Sequence, residues 1–155
     1  MTIYENQPEK VSYIQRADGT ADVRIRMDIQ EVNSPEGIYW TAEEAYRNTR
    51  MSEAEVLANA DALFFQWTGL QADLTAAVQE HMDKTAQTRN YDNIFTACSY
   101  ANSTDPRFKS EGEACVAWRD AVWNTCYAIL AAVKAGQRHI PSTDELIAEL
   151  PALEW

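Results

Sequence analysis

The stretch "WRDAVW" at 118–123 sets Arg119 and Asp120 between Trp118 and Trp123, inside the most apolar part of the chain. At 100° per residue, Cys115, Trp118, Val122, Cys126, Ile129 and Val133 share one stripe of a helix, and Arg119 lies close beside it. A guanidinium in such a place needs a carboxylate partner or an aromatic plane, because an unpaired buried charge costs several kcal/mol. Asp92, Glu145 and Glu149 are the candidate acids from neighbouring helices. The pattern supports two roles: an anion-binding arginine in a pocket, or a structural clamp of Arg119, Trp118, Trp123, Asp92 and Glu145 tying helices together. The clamp is the stronger expectation. It predicts that removing the carboxylate alone costs about 3–5 kcal/mol, while Arg119→Leu is better tolerated.

Other residues with chemical potential do not assemble into a local site. His81 falls on an apolar stripe and His139 in a loop, and neither belongs to a metal-ligand spacing. Cys98, Cys115 and Cys126 form no C-x-x-C pair, which reads as reduced, mostly buried thiols rather than a disulfide framework or zinc site. The glycines are isolated, outside any phosphate-cradling loop. Glu43-Glu44, Glu53/Glu55 and Glu111/Glu113 sit at expected helix starts, where they complement the helix dipole. The sequence therefore predicts no catalytic, metal or cofactor-binding residues, and no enzyme.

Thirteen basic against twenty-four acidic residues give a formal charge of -11, spread over both halves of the chain. That charge disfavours nucleic acid and anionic membranes as partners. No apolar run approaches the roughly 20 residues of a membrane span. Five tryptophans and seven tyrosines are a large supply for one small core. Trp40, Tyr46, Trp67 and Trp155 are the candidate partner-binding residues.

The elements that must position these groups read as an α+β fold: a small N-terminal antiparallel β element (1–40) followed by a helical bundle (41–155). Asp18-Gly19 is a hairpin turn signal. Val23, Ile25, Met27 and Ile29 alternate with Arg24, Arg26, Asp28 and Gln30, as in a strand with one wet face. "NSPEG" at 33–37 is a turn, and "IYW" at 38–40 a short strand or edge. "TAEE" at 41–44 reads as a capping box opening a short helix, and "SEAE" at 52–55 as a second one. Further helices are predicted over about 70–88, through Tyr91–Cys98, over about 108–135 with Gly136 as stop, and at "STDELIAEL" before Pro151. Pro106 forbids helix through Asp105.

Four pieces of the second half occur in one order: "RNYDNI…SYANS" (Arg89 to Ser103), "PRFKSEG" (Pro106 to Gly112), "WRDAVW" (Trp118 to Trp123), and "PSTDELIAELP" (Pro141 to Pro151). Together they resemble a module of tail-region proteins of bacteriophages and prophages, within a C-terminal segment of about 70–155. The resemblance implies a tail or tail-fibre-associated protein, made in the host cytoplasm and localised to the virion. It would dock on tail, tail-fibre or baseplate proteins and act as a homo-oligomer. A tail-fibre assembly chaperone absent from the mature virion is the alternative, and an acidic phage-encoded inhibitor of a host protein a further one. The resemblance implies no active site.

Overall fold

The computed structural model describes all 155 residues and has the α+β architecture that the sequence predicts. The chain divides into two compact units, Met1–Gln71 and Ala72–Trp155.

The first unit is a four-stranded antiparallel sheet in the order β1-β4-β3-β2, followed by two short helices. Strands β2 (Val11–Gln15) and β3 (Ala21–Ser34) flank the Asp18-Gly19 turn. There Gly19 has φ +80°, and the Asp18 carboxylate accepts from the Thr20 amide and hydroxyl. Pro35 and Glu36 form the tight turn into β4 (Gly37–Thr49), and β1 (Thr2–Tyr4) pairs along the outer side of β4. A register shift between Met27 and Gln30 marks a bulge, with Asp28 at φ +54°. It removes Ile29 from the strict alternation, leaving it half-buried.

Thr41–Glu44 corrects the sequence reading. The "TAEE" segment opens no helix; it lies in the middle of β4, so the sheet runs past residue 40 to Thr49. A helix cap is worth about 1 kcal/mol. Pairing from Ala21 opposite Thr49 to Ser34 opposite Gly37, broken only by the bulge after Met27, satisfies most of the backbone of both strands and seats Ala45 opposite Ile25. The local signal loses to the ladder.

"SEAE" does cap a helix: Ser52 and Glu55 exchange side-chain and backbone hydrogen bonds at the start of α1 (Glu53–Ala58). The chain breaks at Asn59 and resumes as α2 (Ala60–Thr68), which ends at Gly69 in the left-handed region. Helix α2 packs on β3 and β4. Val23, Ile25, Val56, Leu63 and Phe64 are the buried heart of this unit.

The second unit is helical. Helix α3 (Leu70–Gln87) carries the division between the units in its first turn. It is followed by α4 (Ile94–Ser99), a single 3-10 turn (Tyr100–Asn102), α5 (Pro106–Lys134) and α6 (Thr143–Glu149). Helix α4 starts at an Asn93 cap, so Tyr91 precedes it instead of lying in it. Asp105 caps α5 by accepting from the Arg107 and Phe108 amides, and Pro106 occupies the first turn, where its missing N–H costs nothing. The stripe along α5 is real: Cys115, Trp118, Val122, Ile129 and Val133 are buried, with Val78, Met82 and Ile94 beside them in the core of the unit. Ser142 and Glu145 form the capping box of α6. No helix is long and apolar enough to cross a membrane.

Candidate functional site

Three backbone features create a cleft in the helical unit. After α3 the chain turns at Asn90, whose φ of +64° suits a side chain tolerant of the left-handed region. That turn leaves Arg89 exposed and buries Tyr91. Downstream, the 3-10 turn lies directly against α5 at Gly112. A Cβ there would sit 2.2 Å from the Ala101 nitrogen and 2.5 Å from the Tyr100 carbonyl carbon, so only glycine permits the approach. The first turns of α5 supply Arg107, Phe108 and Glu111.

These residues meet around a buried carboxylate. Glu111, 7% exposed, accepts from Tyr91 Oη at 2.7 Å, from Arg107 Nε at 3.2 Å and from an Arg89 terminal nitrogen at 3.4 Å. The Tyr91 hydrogen bond, followed by the two guanidinium groups, holds the Glu111 carboxyl below its ordinary range. Burial first, and then the same hydrogen bond, pushes the Tyr91 hydroxyl up to about 12. Aromatic contacts frame the cluster. The Tyr91 ring lies 5.4 Å from Tyr100 and stacks on Trp155 at 6.2 Å, Tyr100 lies 5.6 Å from Phe108, and the Arg89 guanidinium sits 5.1 Å over Trp155. The resulting cleft is about 360 Å³, with Arg89, Tyr91, Tyr100, Arg107, Phe108 and Glu111 in its walls.

Among known proteins the chain matches no family model, no curated protein and no solved structure. What the site can do is therefore argued from its own groups. Tyr91 stays protonated and Glu111 ionised at neutral pH, and neither is tuned as an acid or base for work near neutrality. Burial also raises all three thiols, Cys115 to about 11, which disfavours the thiolate a nucleophile requires. The exposed arginines offer charged, directional donors beside aromatic surface. That is equipment for binding.

The expected Arg119 clamp is not the one the fold uses. Arg119 donates to its own neighbour Asp120, at 3.1 and 2.8 Å, and touches Cys98. It is 30% exposed and Asp120 58%, so the pair is partly solvated. Asp92 is exposed and gives Arg119 nothing: its carbonyl accepts from Gln87, and the residue borders the cleft. Glu145 caps α6 and lies 3.6 Å from His139. Trp123 is half-buried. Trp118 does bind across elements, its indole N–H donating to the Pro151 carbonyl at 2.6 Å. Near the C-terminus, Arg138 pairs with Glu149 of α6, bidentate at 2.8 and 2.6 Å.

Of the expected partner-binding aromatics, only Trp155 adjoins the cleft, stacked on Tyr91 and beneath Arg89. Trp40 is half-buried on β4, opposite Tyr4 of β1. Tyr46, 54% exposed, donates to Asp22 at 2.9 Å beneath the Arg24 guanidinium, and Trp67 lies under Arg47. The residues that sequence reasoning missed are Arg89, Tyr91, Arg107 and Glu111. Glu111 complements no helix dipole, as its spacing suggested; it is the centre of the cluster. A glycine inside a long helical pattern, next to that glutamate, was the signal for close backbone approach.

Proposed function

We propose that the protein is a non-enzymatic docking component of a bacteriophage tail, associated with the tail fibre or baseplate, and that the cleft around Glu111 is its principal contact surface. One observation carries this reading. The first two pieces of the tail-protein resemblance, separate in sequence, contribute Arg89, Tyr91 and Tyr100 from one side and Arg107, Phe108 and Glu111 from the other to the same cleft, while Gly112 lets the two sides approach. The remaining two pieces meet at the Trp118–Pro151 hydrogen bond, which anchors the segment leading to Trp155. A shared sequence pattern concentrated on an accessible Arg-aromatic surface fits recognition of a partner.

Quantitative mass spectrometry of purified particles from the phage or prophage encoding the chain tests the proposal. Stoichiometric presence, in a multiple matching tail symmetry, is the expected result. Absence from particles together with abundance in producing cells would overturn the virion role in favour of an assembly chaperone.

A further inference from the structure

We infer that the Glu111 cleft recognises a side-chain carboxylate, Asp or Glu, on an extended peptide segment of its partner, with an adjacent apolar residue seated against Tyr100 and Phe108. This rests on the docking reading and gives it a chemistry. Arg107 engages Glu111 through Nε and Arg89 through one terminal nitrogen, so the terminal N–H groups of Arg107 and the other N–H groups of Arg89 hold no hydrogen bond within the protein. Both side chains are accessible, Arg107 at 72% and Arg89 at 44%. Glu111 is a positioning residue: buried itself, it holds one nitrogen of each guanidinium group at the same wall before any ligand arrives.

Charge selects the ligand class. In a chain of net charge -11, two arginines converging on one cleft are a local attraction for an anion. Glu111 and Asp92 already offset them, however, so each further negative charge brought in meets increasing repulsion. A carboxylate carries one charge and presents two coplanar oxygens that match the guanidinium fork; a phosphate carries up to about two. The aromatic shelf beside the arginines, Tyr100 at 38% and Phe108 at 39% exposure, gives a peptide carrying that carboxylate an apolar foothold that a free anion cannot use.

Nuclear magnetic resonance on the full chain tests this. The Arg89 and Arg107 Nε–H and Trp155 indole N–H resonances are followed while titrating the blocked peptide acetyl-Gly-Asp-Phe-Gly-amide, its Asn counterpart, and inorganic phosphate at matched ionic strength. The expected result is saturable movement of these resonances by the Asp peptide, affinity at least about tenfold weaker for the Asn peptide, and no saturation by phosphate. Arg107→Gln should abolish the Asp preference with the remaining spectrum unchanged. Equal response to Asp and Asn peptides, tighter saturation by phosphate, or no response to either peptide would each overturn carboxylate recognition. Those results leave the composition of particles unaffected, so failure of the ligand chemistry is separable from failure of the docking role.

Discussion

On the sheet, Arg26 donates from Nε to Tyr4 Oη at 2.8 Å and pairs with Glu44 at 3.1 Å, while a terminal nitrogen donates to the Glu9 carbonyl at 3.0 Å. Tyr4 in turn donates to Glu44 at 2.5 Å, and only 7% of the Arg26 side chain is exposed. In the helical unit the same three residue types meet, but the carboxylate is the buried member and the arginines are exposed. The two clusters differ in which partner faces water. Burying the cation, as at Arg26, spends its donors on the protein and yields a clasp between β1, β3, β4 and the segment before β2. Burying the carboxylate, as at Glu111, leaves cationic donors displayed on a fixed base. Composition does not separate the two clusters; exposure of the charged donors does, and the proposed recognition role rests on it.

Substitution of the arginines should widen that contrast most. Arg26→Ala removes a nearly buried cation and leaves Glu44 with only the Tyr4 hydroxyl and Arg24 at 3.8 Å, at an expected cost of about 3 kcal/mol in chemical denaturation. Arg107→Ala removes a largely solvated partner of Glu111 and should cost no more than about 1 kcal/mol. Equal losses would erase the distinction between clasp and display.

Tyr91→Phe is the intermediate case. It deprives the buried Glu111 carboxylate of its shortest hydrogen bond and should cost about 1–3 kcal/mol at neutral pH. The sign of the pH dependence follows from the depressed Glu111 carboxyl. Its contribution is fully present above the ordinary glutamate value of about 4.3 and is lost as pH falls through the lower folded value. The difference between wild type and Tyr91→Phe should therefore shrink on acidification. A gap that is constant down to the acid transition would remove Glu111 from the account.

Smallest of all should be Arg119→Leu. Its partner is the adjacent, exposed Asp120, and a change within about 1 kcal/mol is expected in a thermal melt. A cost of several kcal/mol would show that Arg119 secures more of the helical unit than its partly solvated pair with Asp120 does.

What could be read from sequence was the local chemistry. Asp18-Gly19, Ser52 with Glu55 and Ser142 with Glu145 each settle their structure within a few residues and form as the sequence predicts, while Asp105-Pro106, read as loop, caps and opens α5 two residues earlier than expected. Thr41–Glu44 carries an equally clear helix signal and is a strand, because its fate is decided by pairing with β3. Arg119 shows the limit of helical periodicity: an angle near the apolar stripe did not imply burial, since the neighbouring aspartate and partial solvation satisfy the charge. Glu111 escaped for the converse reason. Its partners Tyr91 and Arg89 come from the turn after another helix, and only the fold brings them together.

The central claim is that the arginines of the Glu111 cleft serve recognition more than folding. Its most direct test is co-purification of the tagged Arg89→Gln/Arg107→Gln chain with tail components from producing cells, alongside its melting temperature. On the proposed docking role, an unchanged melt with loss of the tail components is the expected result. Retention of those components at wild-type stoichiometry would contradict the claim.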